Sequence, residues 1–246
     1  MVHGEREAKA GKRNSLVILI WNEIDAIRKL YGMIPFGAVD EAVVIDGGSD
    51  DGTAEFLRAK DLPVYRQKKK GRGAAFLEGL RHTSGENIIF LSGDGNEDPK
   101  DIPRMIRHLD GGYDMVIAGR YIFRESSSDS SDDPLRMRML FGIGLGFLIR
   151  VFWGGSVRDS INGFRGFRRP AMESMNLDAQ KYDIEFQTTI RALKLGLRIK
   201  EFPTKELRRM GGYHKPSAGT LVLAYNFFKF FFRELIIGMD FRNNSG

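Results

Sequence analysis

The chain has no cysteine among its 246 residues. That excludes disulfides and thiolate zinc sites, and it suits a reducing compartment. No apolar run is long enough to span a bilayer, which needs about 20 residues; the longest glycine-punctuated one, 139–149, falls well short. The first fourteen residues are polar and basic without an apolar centre, which reads as a leader and not as a secretory signal. Nor is there one long run of like charge. The formal net charge is +6, but the basic residues sit in short clusters at 66–72, 136–138 and 208–215. A basic balance admits nucleic acid, an anionic membrane surface or phosphorylated substrates. Short clusters separated by acidic loops fit small phosphate ligands, and they argue against a nucleic-acid backbone, which those loops would repel. With 42% hydrophobic and 28% charged residues the composition is that of an ordinary globular protein, long enough for one large domain or two small ones.

The stretch 87–99, N-I-I-F-L-S-G-D-G-N-E-D-P, organises what is present. Four apolar residues break at once into glycine and acid, which predicts a buried strand ending in a loop. Asp98 can cap the following helix, with Pro99 at its first position. The same rhythm recurs: a strand at 15–20 exits through Trp21, Asn22 and Glu23, and a strand at 42–45 exits through D-G-G-S-D-D-G-T. Short strands follow at 63–66 and 115–118, and helices are predicted at 23–31, 54–60, 74–82 and 99–109. Strand and helix alternate, so the first 120 residues predict a parallel α/β sheet. Ligands in such sheets sit at the carboxyl ends of the strands. Asp94 and Asn96 stand there as hard oxygen donors suited to Mg²⁺ or Mn²⁺ beside a phosphate. An ordinary acidic turn is the competing reading. K-K-K-G-R-G at 68–73, a glycine loop opening a helix, reads either as an anion cradle or as a solvated lysine run.

The second half is less regular. E-S-S-S-D-S-S-D-D at 125–133 predicts a loop that serves as a lid or as a linker. The apolar segment 139–149 predicts a buried or interfacial helix, 159–167 a tight loop, 182–195 a helix and 197–202 a strand. The tail 219–239 carries five phenylalanines between 227 and 232, with Asn226, Lys229 and Arg233 as a narrow polar stripe. A helix apolar over most of its girth needs a cover: a membrane interface, a second copy of the chain, or the protein's own core.

Together the loops form an ordered set: I-W-N-E at 20–23, V-I-D-G-G-S-D-D-G-T at 44–53, K-G-R-G-A-A at 70–75, L-S-G-D-G-N at 91–96, A-G-R-Y at 118–121, D-S-I-N-G-F-R at 159–165, Y-D-I-E at 182–185 and R-M-G-G-Y-H-K at 209–215. In this order they resemble the inverting glycosyltransferases of family 2, in particular the polyprenol-phosphate branch that includes dolichol-phosphate mannose synthases. The resemblance implies a GT-A-type fold: α/β, a mostly parallel central sheet flanked by helices. It implies a leader over 1–14, a glycosyltransferase domain over 15–216 and an amphipathic, interfacial C-terminal helix with its tail over 217–246.

The implied activity is metal-dependent transfer of a sugar from a nucleotide-sugar donor to a polyprenyl phosphate. The implied place is the cytoplasm, peripheral on the inner face of the cell membrane, with no nucleic-acid partner and with the tail as a contact for homo-oligomers. Trp21, Glu23 and Asp46 would line the nucleoside, joined on the donor by Arg72 and Gly93. Asp94 and Asn96 would hold Mg²⁺ or Mn²⁺. Arg120, Lys181, Arg209 and Lys215 would bind donor or acceptor phosphate, with Asp94, Arg120 and Arg209 the residues of the chemical step. His214 reads as a solvated loop histidine. An acceptor that is already an anion needs no general base, in keeping with a site rich in arginine and lysine. The chain departs from the family's pattern at Ser92, where an acid is usual, at Gly47, the second acid of its motif, and at Leu19 in place of proline. Two other readings stay open: a transferase with a soluble or glycan acceptor, and a sugar-nucleotide binder without catalysis.

Overall fold

The structure is a computed structural model and describes residues 13–121, 137–211 and 220–243. Lys215, His214, the 125–133 loop and nearly all of the 1–14 leader lie outside the described residues. Seven strands make one sheet: β1 (Asn14–Ile20), β2 (Glu41–Asp46), β3 (Val64–Arg66), β4 (Asn87–Ser92), β5 (Met115–Gly119), β6 (Arg165–Arg168) and β7 (Ile199–Pro203). Their order is β3-β2-β1-β4-β6-β5-β7. All neighbours run parallel except β6, which is antiparallel to both β4 and β5. The mixed α/β sheet expected from the sequence is thus present.

β1 and β4 are central and covered on both faces, which is why they read as continuous apolar runs. Alternate side chains serve two cores. Val17, Leu19, Ile88 and Phe90 face one layer, built by α3 (Arg72–His82), α5 (Met137–Trp153), α7 (Ile184–Lys194) and α8 (Thr220–Ile237). Leu16, Ile18, Ile20, Ile89 and Leu91 face the other, built by α1 (Ile24–Leu30), α2 (Thr53–Arg58) and α4 (Ile102–Asp110). Asp98 caps as expected, its carboxylate accepting from Lys100 N at 3.1 Å, but it caps a single 3₁₀ turn that precedes α4.

The segment 159–167, expected as a tight loop, instead ends in a strand. β6 carries only four residues, two of them arginine and one glycine, too few for a period-two signal. Gly166 leaves room for its neighbours: a Cβ there would lie 3.1 Å from the Leu109 side chain. α6 (Arg169–Ser174) follows directly.

α8 packs against the protein along one face, where Phe227, Phe230 and Phe231 are buried. Edge-on ring contacts join it to α5, Phe141 to Phe227 and Trp153 to Phe231. The opposite face leaves Tyr225, Phe228, Phe232 and Ile236 exposed, and α5 exposes Leu140, Ile143, Phe147 and Val151. Among the described residues no helix is long and apolar enough to cross a membrane.

Candidate active site

The exits of β2 and β4 are both tied to β1. Gly47 N donates to Ile20 O and Gly93 N to Leu19 O, each at 2.8 Å. All three acid-bearing loops therefore open on one sheet edge, as the topology rule requires.

The loops after β1 and β2 are zipped together. Asn22, at φ 54°, exchanges two hydrogen bonds with Asp50: Nδ2 donates to Asp50 Oδ1 at 2.9 Å, and Asp50 N donates to Asn22 Oδ1 at 3.0 Å. Asp51 accepts from Ile24 N at 3.0 Å, satisfying an amide at the start of α1. Burial pushes the Asp51 carboxyl up, but bonds from Thr53 and Ile24 outweigh it and hold it below its usual value. Asp46 is buried and accepts from Ser49 N at 2.9 Å and Ser49 Oγ at 2.7 Å. Trp21 stands half exposed over Gly47, where a Cβ would lie 3.1 Å from Trp21 Cβ and 3.2 Å from Gln67 Oε1. A side chain at 47 would press on the ring, so the missing second acid and the position of Trp21 go together.

The loop after β4 is covered by the basic loop that follows β7. Leu207 N donates to Asn96 O at 2.8 Å and Met210 N to Asp94 O at 3.2 Å. Gly95, at φ 79°, lets the two loops meet, because a Cβ there would lie 2.8 Å from Met210 Cγ. The Arg209 guanidinium donates through Nη2 to Glu23 Oε1 at 2.6 Å and lies 4.0 Å from Asp94 Oδ2. One cation thus joins the exits of β1 and β4. Asp94 Oδ1 accepts a long bond from Asn96 N, at 3.3 Å. Among the described residues, Asn96 Oδ1 is buried without a hydrogen-bond partner.

A buried carbonyl oxygen costs free energy unless something pairs with it. The Asp94 carboxylate on the same loop is a second hard oxygen donor, and the two donor types fit a divalent cation. Among the described residues there is no cluster of three or more histidine or acidic side chains able to hold a metal. Mg²⁺ is commonly held by one or two protein oxygens, with water and phosphate completing the shell.

Ser92 faces Glu97 at the base of this loop. Ser92 N donates to Glu97 Oε2 at 2.6 Å and Ser92 Oγ to Glu97 Oε1 at 3.1 Å. Burial pushes the Glu97 carboxyl up to about 7; Arg72 opposes the shift and Asp94 adds to it. Arg72 does not face the open edge. Its Nε bonds to Glu185, and its Nη2 donates to Ser92 Oγ at 3.1 Å. Burial disfavours the guanidinium, yet Glu185 and Glu97 outweigh it and hold the pKa above its usual value. At 68–73, where an anion cradle competes with a solvated lysine run, the helix-opening amides are met by protein. Gly73 N donates to Lys181 O at 3.1 Å and Ala74 N to Gln180 O at 3.3 Å. The glycine permits this close approach, since a Cβ at Gly73 would lie 2.1 Å from Ala179 O. Lys181 is exposed beside this contact.

Arg120 projects from the end of β5. It donates from Nε to Asp159 Oδ2 at 2.8 Å and from Nη2 to Asp159 Oδ1 at 3.0 Å, a bidentate pair, with Glu206 Oε1 at 3.5 Å from Nη1. Asn96, Glu97, Arg120 and Glu206 line one small cavity of about 10 Å³. The structure therefore brings Asp94, Asn96, Gly93, Glu23, Asp46, Trp21, Arg209 and Arg120 to one edge, and sets Arg72 behind it. Sequence reasoning assigned no role to Asp159, Glu185 or Glu206, although the first two lie in motifs it singled out. The usable signal is one of charge: Arg72 and Arg120, both largely buried, are each paired with an acid.

The family model of glycosyl transferase family 2 matches residues 15–175. Glycosyltransferase AglJ of Haloferax volcanii is 29% identical over 196 residues, 78% of this chain and 62% of its own length. The polyprenol monophosphomannose synthase of Mycolicibacterium smegmatis is 26% identical over 243 residues, 89% of this chain and 90% of its own. The undecaprenyl-phosphate mannosyltransferase of Micrococcus luteus is 28% identical over 217 residues, 82% of this chain and 87% of its own. Among solved structures, glucosyl-3-phosphoglycerate synthase from Mycobacterium tuberculosis, in complex with Mn²⁺, UDP and glucosyl-3-phosphoglycerate, superposes with a TM-score of 0.70 at 23% identity, covering 92% of this chain and 81% of that one. That likeness carries the fold. The family match spans the strand exits, the Asp94 loop and the Arg120–Asp159 pair, and on it this chain belongs to glycosyltransferase family 2.

Proposed function

We propose that the protein transfers a sugar from a nucleoside-diphosphate sugar to a polyprenyl phosphate at a membrane surface. The observation that carries this reading is Arg209 Nη2, 2.6 Å from Glu23 Oε1 and 4.0 Å from Asp94 Oδ2: one cation joins two acids proposed for the donor. Trp21, Glu23 and Asp46 line the nucleoside. Asp94 and Asn96 would hold Mg²⁺ or Mn²⁺, which when bound would neutralise charge on the diphosphate.

A phosphate monoester has its second pKa at about 6, so the acceptor oxygen is already an anion and no protein base has to take a proton. That oxygen bonds to the anomeric carbon as the carbon–oxygen bond to the diphosphate breaks. The electron pair leaves with the nucleoside diphosphate, and the anomeric centre inverts. Arg120, Arg209 and, outside the described residues, Lys215 hold the two anions together, and they stabilise the charge that develops on the leaving group. Lys181 remains an outer candidate for the same work. Arg72 supports the loop from beneath.

The lipid acceptor is favoured by the surface beside Arg120. Its guanidinium lies 5.0 Å from the centre of the Tyr121 ring. That ring packs on α5 at Gly142, where a Cβ would lie 2.8 Å from Tyr121 Cε2. The outward faces of α5 and α8 carry exposed apolar side chains, Leu140, Ile143, Phe147 and Val151 on one and Tyr225, Phe228, Phe232 and Ile236 on the other, which suits a peripheral seat on a bilayer. The relatives named for polyprenol and undecaprenyl phosphates support the same acceptor class. The test is transfer from UDP- and GDP-sugars to a short polyprenyl phosphate with Mn²⁺ or Mg²⁺. Product is expected with the unaltered chain and not with Asp94→Ala; equal turnover in the two would remove Asp94 from the mechanism.

A further inference from the structure

The loop that presents Asp94 and Asn96 is closed on itself by one side chain. Glu97 reaches back five residues and accepts twice from Ser92, at 2.6 Å from the backbone N–H and 3.1 Å from the hydroxyl. Between these two ends lie only Gly93, Asp94, Gly95 and Asn96. Ser92 Oγ also accepts from Arg72 Nη2 at 3.1 Å. A guanidinium has donors only, so the single serine proton is free to go to Glu97. The hydrogen-bond directions are therefore fixed: Arg72 to Ser92, and Ser92 to Glu97.

The contact is also built from outside the loop. Glu185 of α7 fixes the Arg72 Nε, and Gly163 gives the guanidinium its space, because a Cβ there would lie 1.7 Å from Nη2. Glu97 and Ser92 are both buried. Three separate segments thus converge on this contact, which brackets the two candidate cation ligands, Asp94 and Asn96, in the chain.

We propose that Glu97 is a positioning residue for the divalent cation: its carboxylate clasps Ser92 and sets the curvature of the 93–96 loop, so that Asp94 and Asn96 meet one ion. The inference rests on the reading of Asp94 and Asn96 as the cation site. A clasp differs from a ligand in what it asks of residue 97. An amide can accept from Ser92 N–H through its oxygen and donate to Ser92 Oγ through its nitrogen, so Glu97→Gln keeps the clasp while removing the charge. Glu97→Ala removes both. Ser92→Ala removes one of the two bonds and leaves the carboxylate in place.

The experiment measures Mn²⁺ uptake by electron paramagnetic resonance on the full chain with a nucleoside diphosphate present, and amide exchange of the metal-free protein. Loss of a hydrogen bond to a charged group predicts about a tenfold weaker Mn²⁺ affinity in Glu97→Ala, with Glu97→Gln within about threefold of the unaltered chain and Ser92→Ala between them. Without metal, amides 93–96 exchange faster in Glu97→Ala, while those of β1 and β4 do not.

Affinity in Glu97→Ala within threefold of the unaltered chain would overturn the clasp. So would an equal loss in Glu97→Gln and Glu97→Ala, which would make the carboxylate a direct ligand or charge partner. If Glu97→Ala fails to fold, Glu97→Gln and Ser92→Ala still decide, since the clasp requires Ser92→Ala to be the weaker binder of the two. Failure of the parent site reads differently: there the unaltered chain takes up no Mn²⁺, or Asp94→Ala takes it up equally well, and the clasp falls with it.

Discussion

Arg120 lies flat along the carboxylate of Asp159, with Nε 2.8 Å from Oδ2 and Nη2 3.0 Å from Oδ1, while the backbone N–H of Arg120 donates to the same Oδ2 at 3.0 Å. Asp159 is fully buried and is itself oriented by the loop that carries β6 toward the sheet. The pair fixes the plane of a guanidinium proposed to meet phosphate. Asp159→Ala removes that bidentate partner, while Glu206, 3.5 Å from Nη1, stays beside the guanidinium. Breaking a buried pair costs about 3–5 kcal/mol, and the partial exposure of Arg120 and the second acid put the expected loss nearer 2 kcal/mol. At this chain length that lowers the thermal midpoint by about 4–8 °C. Acceptor KM rises in the same variant while donor binding holds. Differential scanning calorimetry and acceptor titrations check the two halves separately.

Arg120→Lys tests geometry against charge at the same position. Lysine keeps the positive charge but cannot offer two parallel N–H donors to one carboxylate. We expect the variant to fold and bind donor, and to lose transfer by about tenfold or more, the usual cost of one charge-assisted bond. Transfer equal to that of the unaltered chain would mean that charge alone suffices at 120.

Much of this architecture is legible in the chain, and the exceptions share a cause. β1, β2, β4 and β5 announce themselves because strands covered on both faces carry uninterrupted apolar runs. β6 does not, because Arg165 points into the core. Its guanidinium donates to Asn162 O at 2.7 Å, Glu185 O at 2.8 Å and Thr188 Oγ1 at 2.6 Å, all neutral oxygens. Burial among them pushes the Arg165 pKa down to about 10. No local pattern predicts an arginine in that place. The site divides the same way. Asp94, Asn96, Asp46 and Glu23 follow from strand ends, a local rule. Arg72 is paired with Glu185, 113 positions away in the chain, and only the packing of α3 on α7 puts them together.

Glu234 on α8 gives a pH dependence with a definite sign. It is fully buried, 3.0 Å from Arg191 Nη2 and 3.0 Å from Lys194 Nζ on α7. Burial pushes its carboxyl up, but the bonds and charges of Arg191 and Lys194 outweigh that and hold it below the ordinary 4.5. A depressed folded pKa contributes stability that is fully present above the unfolded value and is lost as pH falls through the folded one. The stability difference between the unaltered chain and Glu234→Gln is therefore constant from pH 6 to 8, and it shrinks below about pH 4.5 as the carboxylate takes up protons in the reference chain. Urea unfolding at several pH values measures it. A difference that grows on acidification would contradict the assignment.

Gly73 decides between two opposed effects of known size. Alanine in a helix is favoured over glycine by about 1 kcal/mol. At Gly73, however, a Cβ would lie 2.1 Å from Ala179 O and 2.7 Å from Ala179 C, backbone atoms that cannot swing aside. Overpacking costs about 1–3 kcal/mol, so Gly73→Ala destabilises on balance, and it spreads α3 from the 179–181 segment. Because Arg72 sits on that helix end, the variant also loosens Ser92 and Glu97. Gly144, a helical glycine of α5 with nothing within 4 Å of its would-be Cβ, is the control: Gly144→Ala is expected to raise the thermal midpoint.

The apolar face of α5 and α8 carries the last prediction. Phe147 and Phe232 are 57% and 58% exposed, so replacing them costs the fold little. Both lie on the side turned away from Phe227, Phe230 and Phe231, which already fill the inner face. If a bilayer covers the outer face, each ring buries apolar area worth about 1.5–3 kcal/mol when fully transferred, and about half of that at partial depth. The double variant Phe147→Ser, Phe232→Ser then loses about 2 kcal/mol of membrane affinity, roughly a thirtyfold fall in vesicle partitioning. Its thermal midpoint and Mn²⁺ uptake stay where they were. Co-sedimentation with vesicles containing anionic lipid reads the partitioning, and sedimentation velocity of the lipid-free protein reads the alternative cover, a second copy of the chain. Partitioning that survives the double change, together with a dimer that it dissolves, would assign this face to self-association.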